Sequence, residues 1–407
     1  ATTGKSNVQL VVGEFPAFGD SQTRAIGTPD EGKTSWAEGD ELLLEMTSKT
    51  LGTKYAAFKY NGSSWELASG ELSYKEDEVP TFPHVYYAPN YKWEAGKLVL
   101  KEGKVEGTDE YIEGKANITP NGEGINVSFA DATRNYSRLR IATMPNMPIT
   151  VAFNNRYTPA GSSVNAFFPR YTLTSDEKGN AYLYGTFGQY CDFEVKYEGA
   201  PLASHTFYQA AENAKSYVLD ATVVSLADEG LTFDQIVEDV KKELYAGKTY
   251  INLILAPNAD KNTLDAIYYG LRDARQGSIN LTLIGCKKIP YEGFKHFDML
   301  KSIALPDVTE IAEKAFLDCT RLQKVVLGNL TKVYGKAGEK GIFEGCRTKD
   351  IDLILSKDQK VMNGGKTEGG YCWTADITKD YSGSDEHNGR VFLNYDFQSI
   401  TCDYQVP

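Results

Sequence analysis

Histidine and tryptophan are scarce in this chain, with four copies each, and methionine and cysteine are little commoner at five and six. The cysteines are Cys191, Cys286, Cys319, Cys346, Cys372 and Cys402, and no two of them form a C-x-x-C pair. No histidine stands at zinc-finger spacing from them, so neither a zinc site nor a dithiol redox motif is written here. Six cysteines in 407 residues are also too few for a disulfide-stapled scaffold. No apolar run approaches the ~20 residues that span a bilayer, and no polybasic run would hold an anionic membrane surface. The net charge of −12 repels phosphate backbones, which sets nucleic acid aside as a partner. The G-x-S-x-G elbow, H-E-x-x-H and a Gly-rich phosphate loop are missing. EF-hand spacing is missing too, and the acidic stretch Asp176–Asn180 reads as a solvated hairpin tip. The many carboxylate pairs of an acidic chain carry no catalytic information without geometry. The expectation is a protein that is not an enzyme and needs no cofactor and no metal.

What is present points to strands. With 41% apolar and 24% charged residues the chain has enough apolar surface to fold, and its length suits two or three domains. Tyrosine is abundant, with 26 copies against 18 phenylalanines, and aromatic residues with frequent glycine and threonine favour strands and turns. Residues 1–222 read as many short strands: Val8–Val12, Glu41–Met46, Tyr55–Tyr60, Ser64–Leu67, Gly124–Phe129, Arg138–Ala142, Pro148–Phe153, Ala181–Gly185 and Asp192–Tyr197. Asn61-Gly62 between two of them predicts a type I′ hairpin. Strands at this spacing imply sandwiches or barrels.

Residues 223–407 repeat. Leu281-x-Leu283, Ile303-x-Leu305 and Val325-x-Leu327 recur at one constant interval, from 281 to 303 to 325. An apolar residue follows each by six (Ile289, Ile311, Val333), and a phenylalanine by eleven (Phe294, Phe316), Phe343 arriving after five inserted residues. Phe294-x-x-Phe297-x-x-Leu300 matches Phe316-x-x-Cys319-x-x-Leu322, so Cys319 and Cys346 read as core thiols acting as small hydrophobes. Such units cannot bury their faces alone and stack into a solenoid. Thr232-Phe233-Asp234-Gln235 is a capping-box start, and Phe233, Ile236, Val237, Val240 and Leu244 share one helical face, which predicts a helical cap. A second helix is expected over 262–275 with Asn262 as its N-cap.

Two resemblances follow from these motifs. Thr23-Arg24-Ala25, then Ser35-Trp36-Ala37-Glu38-Gly39-Asp40-Glu41-Leu42, the hairpin of Tyr55–Trp65 and Val85-Tyr86-Tyr87-Ala88-Pro89 resemble the opening of fimbrillin-like (Mfa-type) surface proteins of anaerobic bacteria. Ile303-Ala304-Leu305-Pro306 through Ile311, Ala315-Phe316, Cys319 and Leu322 is similar to the BspA-type leucine-rich repeat. The resemblances imply a multidomain, mainly β protein: fimbrillin-like β-sandwich units over 1–133 and 134–222, then a short α/β leucine-rich-repeat solenoid over 223–407 with a helical N-terminal cap and a β C-terminal cap. They imply surface adhesion or pilus-related assembly. Localisation is then the cell surface or extracellular space, as an outer-membrane lipoprotein whose only membrane link is a lipid anchor upstream of Ala1. Ala1–Asn7, small and polar, read as a tether after a removed targeting segment.

The functional expectation is a non-enzymatic adhesin or recognition protein that binds a macromolecular ligand, a host or bacterial surface protein or glycan, through the repeat face. The alternatives are a glycan-binding accessory lipoprotein and a pilus tip or accessory subunit. For the glycan reading the candidates are Tyr87, Tyr91 and Trp93 in the aromatic run 82–93, because exposed rings stack on sugars. Against it, Tyr86 and its neighbours suit strand positions that alternate into a sandwich core, bounded by Pro83 and Pro89 as on an edge strand. Cys372 and Cys402 lie outside the repeats and are either a disulfide across the terminal cap or two free thiols.

Overall fold

A computed structural model describes residues 9–19, 32–129, 134–162, 169–257, 259–333, 341–356, 391–393 and 395–404. Its described residues are mainly strand, with two α-helices, and their apolar side chains gather into three large cores and one small one.

The first core belongs to nine strands: β1 (Gln9–Val12), β2 (Glu41–Ser48), β3 (Gly52–Tyr60), β4 (Trp65–Gly70), β5 (Thr81–Tyr87), β6 (Tyr91–Glu94), β7 (Lys97–Leu100), β8 (Ile112–Ile118) and β9 (Gly124–Ser128). Seven of them form one sheet in the order β1-β9-β8-β5-β2-β3-β4, and β6-β7 is a separate hairpin. The sheet curls until its edges β1 and β4 come into contact. Leu42, Leu44, Met46, Phe58, Val85, Tyr87, Ile125 and Val127 point inward. The Trp36–Asp40 turn closes one end. Asp40 accepts the Ala37 N–H at 2.8 Å, Gly39 takes the positive φ of +93° that the turn requires, and Trp36 packs edge-on against Phe15, Trp65 and Tyr87. The expected two-residue Asn61-Gly62 turn is instead a four-residue loop. Asn61 Oδ1 accepts the N–H groups of Ser63 and Ser64, and Tyr60 pairs with Trp65. The asparagine side chain supplies a local turn of its own, which outcompetes the type I′ geometry.

The second core lies between two four-stranded sheets made by β10 (Ser137–Ala142), β11 (Pro148–Phe153), β12 (Tyr157–Pro159), β13 (Arg170–Thr174), β14 (Asn180–Phe187), β15 (Cys191–Tyr197), β16 (Ala200–Phe207) and β17 (Ser216–Asp220). Their orders are β12-β14-β10-β17 and β13-β11-β15-β16. Alternation sets the inward faces: Ile149, Val151 and Phe153 of β11 meet Phe193 and Val195 of β15 and Leu183 and Phe187 of β14. The junction with the first unit is buried and charged. Arg134 pairs with Glu110, its Nε donating at 3.1 Å, and the Tyr136 hydroxyl donates to the same carboxylate at 3.2 Å. Tyr136, Ala160 and Tyr184 join the first core directly.

The third core is built from the repeats. Strands β18 (Val224–Ser225), β19 (Tyr250–Ile254), β20 (Ile279–Ile284), β22 (Leu300–Leu305), β24 (Lys324–Leu327), β26 (Asp352–Ser356) and β29 (Ser399–Tyr404) lie in that order in one parallel sheet. Short strands β21 (Lys288–Ile289), β23 (Glu310–Ile311) and β25 (Lys332–Val333) form a second parallel ladder, and β27 (Val391–Phe392) pairs with β28 (Tyr395–Asp396). The sequence period becomes the register: Leu281 pairs with Ile303, and Ile303 with Val325, one period on each time. Val325 then pairs with Leu353, a longer step, because the insertion before Phe343 is followed by a one-residue slip. Phe294, Phe316 and Phe343 stack at centroid distances of 5.6 and 5.0 Å with near-parallel planes.

Helix α1 (Phe233–Tyr245) has the expected capping box, with Thr232 and Gln235 bonded reciprocally. Helix α2 spans Lys261–Leu271, starting and ending earlier than expected. Its N-cap is Asp260, whose carboxylate accepts the Thr263 N–H at 2.9 Å. The residue that stands just before the first helical turn with extended backbone is Asp260, and its side chain takes the capping bond in place of Asn262 two residues later. The helices approach closely because Gly270 faces Val240, where a Cβ would stand 2.6 Å from the valine.

Phe316 is fully buried between its two stacked neighbours. Phe316→Ala is expected to cost ~3–5 kcal/mol, read as a lowered urea midpoint of the third-core transition. A midpoint within the error of the parent would show that the stack is not a continuous core.

Candidate recognition surfaces

The outer face of the parallel sheet is the surface on which repeats of this kind would meet a ligand. In this chain it is covered. Thr282, Ala304 and Val326 are 1%, 1% and 0% exposed although they point away from the repeat core. The cover is the β15–β16 hairpin of the second unit. Ala200 packs on Ala304, Val326 and Ile354, and Ile284 and Ile254 join the second core. Asn252 Nδ2 donates to the Leu202 and Thr222 carbonyls at 2.9 and 3.2 Å while its Oδ1 is buried without a hydrogen-bond partner, and Thr282 Oγ1 donates to the Pro201 carbonyl at 3.1 Å. Ser204 bonds Tyr250 at 2.7 Å, and Lys324 pairs with Glu194 at 3.7 Å. The expectation that the repeat face contacts a ligand therefore needs correction for this sheet. Its small and β-branched residues serve an intramolecular contact.

The three aromatic candidates of the first unit separate. Tyr87 points into the core at 4% exposure, with its hydroxyl 3.4 Å from Asp40 Oδ1. Burial, then Asp40 and Asp109, push its phenol pKa up. It has no ring face left for a sugar. Its outward neighbour is Tyr86, so strand parity runs opposite to a core position for Tyr86. Tyr91 and Trp93 sit on the β6–β7 hairpin, which folds over the outer face of the sheet and is tied down by Lys101 to Glu41 at 3.5 Å. Trp93 packs on Tyr55 and Tyr86, and Tyr91 on Tyr111, with interplanar angles of 54°, 61° and 78°. These half-buried rings wedge into one another and hold the hairpin down. They do not form a flat stacking platform.

An open cleft of 670 Å³ lies at the mouth of the second unit. Strands β16 and β17 each end their sheets, and their Phe207 and Tyr217 rings meet at 6.0 Å as its floor. Tyr208, 71% exposed, stands on the rim with Gln209 and Glu212. His205 Nε2 is buried there without a hydrogen-bond partner, and burial holds the imidazole below its ordinary pKa. The ring is thus neutral near pH 7 and carries an unsatisfied polar atom in an apolar cleft, a combination suited to ligand binding. No motif marks this place in the sequence: two unremarkable strand ends and a loop make it. A smaller cavity of 400 Å³ lies among Arg321, Arg347, Asp350 and Asp352, open to solvent and mixed in charge.

The thiols are structural. Burial pushes Cys286 up to about 11 and Cys191 up to about 12, so neither is a thiolate near neutral pH. Cys319 and Cys346 donate to the Phe294 and Phe316 carbonyls of the preceding repeat, both at 3.0 Å. They do more than the small hydrophobes expected, since each satisfies a backbone acceptor. Cys372 and the side chain of Cys402 lie outside the described residues, as do Thr23-Arg24-Ala25. Among the described residues no group of three or more His, Cys, Asp or Glu side chains is placed to hold a metal.

Comparison with protein-family models, with curated proteins and with solved structures finds no match.

Asn252 is 3% exposed and serves two carbonyls of the seam. Asn252→Ala is expected to cost about 1–3 kcal/mol, the penalty for buried unpaired acceptors, in denaturant unfolding of the intact chain. No loss of stability would mean that the seam is open to water.

Proposed function

We propose that this chain is a non-enzymatic recognition protein of the bacterial cell surface, an adhesin with a macromolecular protein ligand. In this reading the first two units are fimbrillin-like, the first a single curled sheet in place of the expected sandwich and the second a β-sandwich. The third is a BspA-type leucine-rich-repeat solenoid with a helical N-terminal cap and a β C-terminal cap, and the chain as a whole is held to the surface by a lipid anchor. The constant repeat register and the stacked phenylalanines support the solenoid. The Trp36–Asp40 turn and the curled first sheet support the fimbrillin-like front.

The observation that carries the binding site is the cleft at the end of β16 and β17. It combines an apolar floor, an exposed tyrosine on the rim and the unpaired His205 Nε2. Rigid aromatic anchors beside a desolvated polar group are what interface hot spots are made of. The wedged rings around Trp93 favour a protein ligand over a glycan, because they leave no flat platform.

The test is capture of host matrix proteins by the intact chain on an array that also carries glycans. Tyr208→Ala is expected to weaken capture of a protein ligand by about 2 kcal/mol, roughly thirtyfold. Tyr91→Ala should leave it unchanged. Binding to glycans alone, lost in Tyr91→Ala and kept in Tyr208→Ala, would overturn the proposal.

A further inference from the structure

Two exposed tyrosines meet at the mouth of the cleft in the second unit. Tyr208 follows β16 and is 71% exposed, and Tyr190 stands in the turn between β14 and β15 at 57%. The Tyr190 N–H donates to the Phe207 carbonyl at 2.6 Å, so Tyr190 and Tyr208 are neighbours across the strand pair. Asn154 Nδ2 donates to the Tyr190 carbonyl at 2.9 Å and fixes its other side. Held in this way, Tyr190 has a φ of +60°, the left-handed region that glycine enters freely and a bulky side chain does not. The ring buries little in return. A tyrosine that strains the backbone and still stays in water points to a contact outside the chain.

The charge of the cleft is one-sided. Among the described residues that line it there is no lysine or arginine, and the carboxylate of Glu212 on the rim has no ion pair. The chain around it carries a net −12. The His205 ring stands 4.7 Å from Phe207 and 6.1 Å from Phe193, with its buried Nε2 unpartnered. Burial holds this imidazole below its ordinary pKa against the pull of Asp192. Near neutral pH it therefore adds no positive charge, and with its proton on Nδ1 it offers Nε2 as an acceptor.

We propose that the cleft takes an arginine side chain of a protein partner, its guanidinium stacked on the exposed tyrosine rings and paired with Glu212. This deepens the proposed function and rests on its reading of the cleft as the binding site. Arginine suits the site better than lysine. Its planar guanidinium stacks on aromatic faces, is weakly hydrated, and has donors enough for a carboxylate and an imidazole nitrogen together. An acidic ligand would meet Glu212 with no cation lining the cleft to offset it.

The experiment is an NMR titration of the intact, deuterated chain at neutral pH with capped Gly-Arg-Gly. The same peptide carrying lysine, or citrulline, which keeps the shape and lacks the charge, is titrated in parallel. The arginine peptide should shift the amides of 204–212 saturably with a millimolar Kd, the lysine peptide more weakly, and the citrulline peptide not at all. Glu212→Gln and Tyr208→Ala should each weaken the arginine peptide roughly three- to fivefold. Glu177→Gln, which removes a carboxylate beyond the opposite end of β14, should leave it unchanged. Equal shifts from the arginine and citrulline peptides, no saturable shift at 204–212, or the same loss in Glu177→Gln as in Glu212→Gln overturns the arginine site. Capture of a matrix protein that needs Tyr208 but is unchanged in Glu212→Gln also overturns it and leaves the recognition reading standing. A saturable arginine titration at the cleft without capture of any matrix protein supports the site and removes the adhesin reading.

Discussion

The surface shared by the second unit and the repeats depends on the contact between the β15–β16 hairpin and the outer face of the parallel sheet. Residues with small or β-branched side chains, Ala200, Ala304 and Val326, allow the strand to lie close to the sheet. The hairpin approaches with free backbone carbonyls at Pro201 and Leu202, and the sheet meets them with the side chains of Thr282 and Asn252. Without those donors the carbonyls would be buried unpaired, which costs more than the hydrogen bonds contribute when made. The contact therefore holds only in one register. It turns a surface that repeats normally offer to partners into interior.

The same logic operates at the other junction. Glu110 and Arg134 are a buried ion pair, and such a pair persists only when its remaining hydrogen-bonding groups are served. Tyr136 serves the carboxylate and the Phe18 ring lies 3.8 Å from the guanidinium carbon. Tyr184, from the second unit, packs into the first core and its N–H reaches the Gly107 carbonyl at 2.7 Å. Both seams thus bury residues of two units in common cores. Under the proposed function, ligand contact falls to a place where sheets end, the cleft at β16 and β17.

The repeats were the most legible part of the chain, because apolar positions that recur at one constant interval are the trace of a stacked strand-and-turn unit. The capping box of α1 was legible for a similar reason: both bonds are local. What could not be read was long-range. Thr282, Ala304 and Val326 look like any outward sheet positions, and their partner Ala200 lies on a hairpin of another unit, far away along the chain. The inward turn of Tyr87 depended on the parity of β5, and Tyr86 beside it is equally apolar. The cleft at His205 exists only because two edge strands from different sheets end at the same place. Asp260 in place of Asn262 shows how a choice between neighbouring caps depends on where the chain enters the helix.

The most direct measurement is the reactivity of a thiol placed in the seam. In Ala304→Cys, a maleimide reagent applied to the folded intact chain and located by peptide mapping should leave position 304 unlabelled, and should label it fully after denaturation, because that side chain faces the hairpin at 1% exposure. Complete labelling of position 304 within minutes under native conditions would show that the repeat sheet is open to solvent, and would return that face to the list of binding surfaces.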